Sequence, residues 1–169
     1  MHRIAEFHRI SFAQFQQDAE RCALQLTGEA LHSAYQGIMC PIRATAGSAG
    51  YDFFAPFAFS LHTGNSVTIP TGIRVEIEPG WFLGLLPRSG HGFRYRVQLD
   101  NTMGVIDSDY FHAENEGHIL IKLSNTSHSS TCLQVNKGEG FAQGIFLPYG
   151  ITREDKAHAK RIGGFGSTG

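Results

Sequence analysis

The chain has 169 residues, a length that suits one domain. Its 14 Lys and Arg side chains balance 15 Asp and Glu, and this formal net charge of −1 argues against the basic face that duplex DNA requires. Charged residues make up only 17%, which leaves neutral surface suited to a subunit interface. Short apolar runs and the absence of a signal-like stretch predict a cytoplasmic protein without membrane spans. The three cysteines lack the spacing of a zinc site or a disulfide framework.

The first predicted element is a helix that begins after Ser11. Ser11 and Gln14 have the spacing of a capping box, in which each side chain bonds the other residue's backbone amide. Apolar residues then recur every three or four positions, at Phe12, Phe15, Ala19, Cys22 and Leu26. Gly28 is the predicted end, and residues 29–39 are ambiguous. We interpret residues 1–40 as an N-terminal helical extension.

From Pro41 onward the hydrophobic period changes to two, which is typical of strands. Alternation or short apolar runs predict strands at 72–78, 81–86, 93–99, 119–123, 132–135 and 140–147. Short strands separated by Gly, Pro, Asn and Ser favour a sandwich, jelly roll or barrel over a parallel sheet. We therefore predict a mainly β domain over residues 41–152, followed by a flexible glycine-rich arm over residues 153–169.

Two glycine-rich segments of this domain are candidates for ion binding. Residues 44–52 end in Asp52, whose carboxylate suits a hard cation, although a tight turn also explains the segment. Within residues 87–92, the guanidinium of Arg88, the hydroxyl of Ser89 and the amide of Gly90 suit a phosphate oxygen. An ordinary strand-ending turn is the alternative there.

Two further segments carry polar groups next to apolar residues. Asp107 follows the apolar pair 105–106, and a carboxylate at such an edge can orient and deprotonate a water. If the chain is extended, Asp109 shares its face; two loop aspartates bound to backbone amides are the alternative. Gln143 interrupts an apolar strand, so its amide needs a backbone or ligand partner.

The end of the chain, residues 161–169, alternates glycines with Phe165, Ser167 and Thr168. One interpretation is a disordered tail. The other is a lid, in which the ring stacks on a base while hydroxyls, amides and Arg161 gather phosphates. Because ordering glycine costs much entropy, such a lid closes only over ligand.

Together and in this order, these five segments resemble the motifs of the trimeric dUTP diphosphatase (dUTPase) family, over about residues 41–169. The diagnostic stretches are Gly-Ser-Ala-Gly-Tyr-Asp52, Pro-Arg-Ser-Gly90, Gly-Val-Ile-Asp-Ser-Asp-Tyr110 and Gly-Gly-Phe-Gly-Ser-Thr-Gly169. The N-terminal extension and Asn-Glu-Gly-His118 resemble the variant of Gram-positive bacteria and their phages. The resemblance implies a jelly-roll-like fold that hydrolyses dUTP to dUMP and pyrophosphate with Mg²⁺, as a homotrimer with shared active sites.

The resemblance also implies residue roles. Asp107 would activate the attacking water, and Asp52 would act on Mg²⁺ through its water shell. The phosphates would be bound by Arg88, Ser89, Gly90 and Gln143, and the outer phosphates also by Arg161, Ser167 and Thr168. Uracil would lie along Asn101 and the backbone of Gly104, Val105 and Ile106, and it would be covered by Phe165 and Gly166 of a neighbouring subunit. Tyr110 would pack beneath deoxyribose.

Three features depart from the family pattern. Residues 111–118 form a longer segment than the usual turn, and residues 93–99 alternate like a strand where many members have a short helix. Arg161 stands one residue closer to Gly163 than usual, so Lys160 competes for the outer-phosphate role.

Two alternative functions remain open. A dCTP deaminase resembles the family in fold, but its chemistry favours a glutamate where this chain has Asp107. A nucleotide-sensing module that binds a regulatory protein would use the N-terminal helix and residues 111–118 as partner surfaces. His112 and His118 show no metal-ligand spacing, and we interpret them as surface or hydrogen-bonded residues.

Overall fold

The computed structural model describes residues 2–159 and Gly163. In chain order its elements are β1 Ala5–Arg9, α1 Phe12–Arg21, α2 Gly28–Gln36, β2 Ile42–Arg43, β3 Tyr51–Phe54, β4 Phe59–His62, β5 Ser66–Pro70, β6 Ile73–Ile77, β7 Trp81–Pro87, α3 Ser89–Tyr95, β8 Val97–Leu99, β9 Gly104–Ile106, a 3₁₀ helix Ser108–His112, β10 Leu120–Asn125, β11 Cys132–Val135 and β12 Gly140–Pro148.

The strands form antiparallel sheets, which confirms the predicted mainly β fold. The largest sheet has five strands in the order β2-β3-β12-β7-β9, so β9 forms one of its edges. A second sheet has the order β5-β10-β8, and two-stranded sheets join β1 to β6 and β11 to β4. The long strands β7 and β12 pair along seven registered positions and form the centre of the large sheet.

Hydrophobic alternation explains the core. In β6, Ile73, Val75 and Ile77 are buried, while Arg74 and Glu76 point away from the core. The same period of two buries one face of β10 and one face of β11. The strands predicted at 72–78, 81–86, 119–123, 132–135 and 140–147 are therefore confirmed, with ends shifted by a few residues.

The N-terminal region, predicted as a helical extension, also contains a strand. Strand β1 pairs with β6, with Phe7 opposite Val75, so the region contributes to the β structure before its first helix begins. β1 has few apolar side chains and was missed because main-chain pairing holds it. α1 is confirmed but ends well before Gly28, and α2 makes residues 29–36 of the ambiguous segment 29–39 helical.

The predicted capping box at the start of α1 is half formed. The hydroxyl of Ser11 accepts from the Gln14 amide at 3.2 Å, as predicted. The backbone N–H of Ser11, however, donates to Glu116 at 2.8 Å, and the Gln14 side chain donates to Asp18 instead. The carboxylate of Glu116 therefore accepts the hydrogen bond that the Gln14 side chain would accept in a complete capping box.

The strand predicted over residues 93–99 is wrong in its first half. Residues 89–95 form α3, and only Val97–Leu99 is a strand. Phe93 is 91% exposed, so the apparent alternation of apolar side chains did not reflect burial. The helix ends at Arg96, whose φ of 50° lies in the left-handed region and turns the chain into β8.

Candidate active site

Strand register brings three candidate residues together at the carboxyl end of β7. Gln143 of β12 lies between Asp52 of β3 and Leu86 of β7. Arg88 follows β7 directly, and its Nε lies 3.4 Å from Oδ1 of Asp52. We call Asp52, Arg88 and Gln143 the phosphate-end cluster.

Backbone groups hold the phosphate-end cluster in place. Nη1 of Arg88 donates to the carbonyl of Gly140 at 2.9 Å, and Nε2 of Gln143 donates to the carbonyl of Pro87 at 3.1 Å. The amide of Gln143 has therefore found the backbone partner that one interpretation required. Because both side chains are tied to the sheet, they are oriented before any ligand binds.

Two glycines make room for this arrangement. A Cβ at Gly50 would lie 2.7 Å from Oε1 of Gln143, and a Cβ at Gly140 would lie 2.9 Å from Nη1 of Arg88. The small residues of the segment ending at Asp52 thus allow a close approach between side chain and backbone, as well as a turn. Ser89 and Gly90 begin α3 beside Arg88, and both are exposed.

His91 is a neighbour of the cluster that the sequence analysis missed. Burial and the adjacent charge of Arg88 lower the pKa of its imidazole, although the Phe141 backbone and Glu139 act in the opposite direction. The imidazole therefore stays neutral and adds no second positive charge beside Arg88. In the sequence, only the position of His91 directly after Gly90 could have suggested that it lies beside the phosphate-end cluster.

Asp107 lies at the other end of β7. Ile106 pairs with Leu83, so the chain leaves β9 beside Phe82. Arg88 is six residues further along β7, a span of about 20 Å at the rise of a strand. Within one chain, the predicted base is therefore remote from the phosphate-end cluster.

The backbone after Asp107 is helical, not extended. Asp107 is the N-terminal cap of the 3₁₀ helix, and its carbonyl accepts from the amide of Tyr110 at 3.2 Å. The extended backbone under which Asp107 and Asp109 would share a face is therefore absent from this segment. Both side chains are exposed.

The segment that joins β8 to β9, together with β9, carries the predicted uracil-binding residues. Asn101 is exposed, Gly104 and Ile106 are buried, and Val105 is 44% exposed. Asp100 anchors this segment to β10 through Lys122 at 2.7 Å and through Ser124. Hydrogen bonds from these two side chains lower the pKa of Asp100. The start of the segment is thus held against β10, while contact with a base stays a prediction.

Tyr110 is more enclosed than its predicted role against deoxyribose suggests. It is 2% exposed, its hydroxyl donates to the carbonyl of His118 at 2.7 Å, and that hydroxyl accepts from Nδ2 of Asn115 at 2.7 Å. In this conformation the ring presents almost no surface to a ligand, and its contact with a sugar stays a prediction.

The two segments predicted as partner surfaces contact each other. Ser11 of α1 bonds Glu116, and Asp18 of α1 bonds His118. His118 is fully buried, which confirms its interpretation as a hydrogen-bonded residue. Glu116 and His118 of this segment are therefore occupied by contacts with α1 and its N-cap Ser11.

The predicted C-terminal lid falls outside the described residues. This applies to Lys160, Arg161, Phe165, Gly166, Ser167 and Thr168. Their roles, and the choice between Arg161 and Lys160, stay predictions.

Comparison with known proteins decides the family. The dUTPase family model matches residues 36–169, which is most of the chain. The chain belongs to the dUTPase family. This membership confirms the resemblance and the jelly-roll-like fold class, and it makes the chain a member of a family of hydrolases.

Relatives and solved structures agree with the dUTPase family. Deoxyuridine 5'-triphosphate nucleotidohydrolase of Lactococcus lactis is 38% identical over 136 residues, which cover 79% of this chain and 89% of the relative. The same enzyme of Psychromonas ingrahamii is 39% identical, with coverage of 76% and 86%. The crystal structure of Streptococcus mutans dUTPase superposes with a TM-score of 0.62 at 28% identity, covering 86% of this chain and 97% of that one.

A staphylococcal phage dUTPase extends the structural likeness toward the N-terminus. A mutant of the dUTPase of Staphylococcus bacteriophage 80alpha, in complex with dUpNHpp, superposes with a TM-score of 0.62 over 94% of this chain and 98% of its own. At 16% identity this likeness concerns the fold alone. Its coverage exceeds what residues 41–169 provide, so the phage fold also has counterparts of the N-terminal elements.

The described part of the dUTPase-family chain shows neither a clustered metal site nor a membrane-spanning helix. Residues 2–159 with Gly163 contain no group of three or more His, Cys, Asp or Glu side chains arranged for a metal ion. Among the same residues, no helix has the length and apolar character needed to cross a membrane.

Proposed function

We propose that this dUTPase-family chain hydrolyses dUTP to dUMP and pyrophosphate, and that it does so as a homotrimer with shared active sites. Family membership and the nucleotidohydrolases at 38–39% identity support the reaction and favour it over the deaminase alternative. The distance of about 20 Å between Asp107 and Arg88 along β7 supports the shared site. One chain supplies phosphate ligands and a base, but at opposite ends of the same strand.

In the proposed reaction, the phosphate-end cluster of one chain binds the triphosphate while Asp107 of another approaches the α-phosphorus. Asp107 orients a water and takes its proton as the oxygen attacks phosphorus. The bond to the bridging oxygen breaks, and pyrophosphate leaves with that oxygen. Arg88 offsets the negative charge of the phosphates, with Ser89 and Gly90 beside it.

The residues present are compatible with Mg²⁺ bound through water. Mg²⁺ usually keeps several waters and uses one or two carboxylates together with substrate phosphates, so a cluster of three protein ligands is not needed. Asp52, 24% exposed at its side chain and beside Arg88, supplies one such carboxylate. When bound, the ion would neutralise phosphate charge. A structural Mg(II) ion is described for a mutant dUTPase of phage phi11 of S. aureus.

The proposal includes a cytoplasmic location. The three cysteines, Cys22, Cys40 and Cys132, are free thiols, which supports this location.

The proposed site is completed by the predicted lid residues, which would contact uracil and the outer phosphates. A regulatory protein partner stays a prediction, and dUTP binding without turnover would favour it.

Mixing two inactive variants tests the shared site. Asp107→Asn and Arg88→Ala each remove one half of the site. If the halves come from different chains, denaturing and refolding the variants together restores about a quarter of the sites, because each half is then drawn independently from the two variants. Pyrophosphate release from dUTP measures the recovery. Each variant refolded alone is the control, and mixtures as inactive as these controls would refute sharing.

A further inference from the structure

Helix α1 is bound at two points to the loop that follows Asp107. At its start, the N–H and hydroxyl of Ser11 donate to the carboxylate of Glu116 at 2.8 and 2.6 Å. Further along, Asp18 contacts His118 at 2.6 Å. The family model begins at residue 36, so α1 lies outside the part of the chain that defines the family. The helix therefore adds a contact that the matched region does not contain.

Asp18 and His118 form a buried pair with fixed orientation. Asp18 is 1% exposed and His118 is fully buried. Nε2 of His118 accepts from the Gly72 N–H at 2.8 Å, so the imidazole proton lies on Nδ1 and is donated to Asp18. The same carboxylate oxygen accepts from Gln14 at 2.8 Å. Burial raises the pKa of Asp18, but the hydrogen bonds from His118 and Gln14 outweigh it and hold that pKa low.

The pair is connected to Asp107 by two further hydrogen bonds. The carbonyl of His118 accepts from the hydroxyl of Tyr110 at 2.7 Å. The amide of Tyr110 donates to the carbonyl of Asp107 at 3.2 Å, within the 3₁₀ helix that Asp107 caps. The path from α1 to the predicted base thus runs from the Asp18 side chain to His118, then to Tyr110, and along one turn of the 3₁₀ helix to Asp107.

Stability alone does not account for a charge at this position. Because His118 is neutral in this tautomer, the pair is a hydrogen bond between a buried carboxylate and an imidazole. Burying a carboxylate costs free energy that its hydrogen bonds must first offset, so the contact is weak evidence for stability. A carboxylate does offer direction, because its lone pairs fix the imidazole ring and its tautomer. The orientation of His118 matters here because its backbone carbonyl accepts the hydrogen bond from the Tyr110 hydroxyl.

We propose that Asp18 is a positioning residue for Asp107, acting through His118 and Tyr110. The inference rests on the proposed function, in which Asp107 activates water. Asp18 fixes the loop, the loop fixes the 3₁₀ helix, and the helix sets the direction of the Asp107 carboxylate. A small misplacement of a catalytic group costs much of its rate contribution.

The test compares Asp18→Ala with Asp18→Asn in the full chain. The alanine variant is expected to lower kcat by roughly tenfold to a hundredfold with little change in KM, because the phosphate-end cluster is untouched. The asparagine variant is expected to recover most of kcat, since its amide oxygen still accepts from Nδ1 of His118. Glu20→Ala is the matched control, because Glu20 lies on the same helix and contacts Gln16 on the surface.

Hydrogen exchange of residues 108–118 gives a readout independent of activity. Faster exchange in Asp18→Ala, reversed in Asp18→Asn, supports the proposal. Normal kcat in the folded alanine variant overturns it, and so does a loss that asparagine fails to restore. If the wild-type chain does not turn over dUTP, the proposed function fails by itself, and exchange alone decides whether Asp18 fixes the loop.

A second variant covers the case in which Asp18→Ala does not fold. Asp18→Leu fills the buried position with an apolar side chain of similar volume, and it accepts no hydrogen bond from Nδ1 of His118. Its kcat is expected to fall as in the alanine variant, with faster exchange in residues 108–118. Unchanged kcat and exchange in this variant would overturn the proposal.

Discussion

At the carboxyl end of β7, Arg88 and Gln143 are tied to backbone carbonyls of their own sheet, whereas at its other end Asp107 leaves the sheet for a short 3₁₀ helix. The first end is fixed by strand register and by two glycines. The second depends on a loop that a distant helix holds. In the proposed function, the chain thus binds phosphate with its rigid part and carries the predicted base on a part that needs support.

Asp107→Asn breaks the comparison most strongly and has the largest expected effect. Removing a general base costs roughly 10²- to 10⁴-fold in rate, while nucleotide affinity stays near wild type because the phosphate-end cluster is intact. Pyrophosphate release and dUTP titration measure the two properties. Asp109→Asn, a nearby exposed carboxylate, is the control and should keep most activity. A near-normal rate for Asp107→Asn would remove it from the role of base.

Gly50→Ala tests the rigid end. The new Cβ would meet Oε1 of Gln143 at 2.7 Å, so the amide must move from its place beside β7. We expect the KM for dUTP to rise by about tenfold, a loss on the order of 1.4 kcal/mol of binding. Gly47→Ala lies in the same segment with open space around its Cβ and serves as the matched control. Equal KM values for both variants would show that Gln143 does not bind phosphate.

Acid should weaken the Asp107 end, with the smallest expected effect. The pKa values of Asp100 and Asp18 are lowered in the folded chain, so their ionised forms stabilise it above the ordinary carboxyl pKa of about 4. That contribution is lost as pH falls through the lowered values. The free energy of unfolding can be measured with urea between about pH 6 and about pH 3. Asp100→Asn should reduce its dependence on pH by a fraction of a kcal/mol.

The matched control for the acid experiment is Asp155→Asn, an exposed carboxylate in the segment after β12. This variant should follow the wild-type curve. If Asp100→Asn also follows it, the contacts to Lys122 and Ser124 do not stabilise the segment that joins β8 to β9.

Much of the β structure could be predicted because burial on one face imposes a period of two. β6 and β10 show this pattern clearly. β1 and α3 could not be predicted in the same way. β1 is held by main-chain pairing with β6, and the exposed Phe93 imitated a buried strand residue in α3.

The candidate site was predictable as a set of residues but not as an arrangement. Local composition and the family resemblance both indicated Arg88, Gln143 and Asp107. The strand register that separates Asp107 from the other two is a property of the folded sheet. The contact of Asp18 with His118 joins residues 100 positions apart, and no local sequence pattern indicates it.

The edge position of β9 has a consequence for handling the protein. Edge strands offer backbone donors and acceptors to any extended chain, and Val105 adds an apolar side chain to this edge. Treatments that pull associated copies apart are therefore expected to yield precipitate instead of well-behaved single chains. Recovery after dilution or mild denaturant should improve when a charged residue replaces Val105.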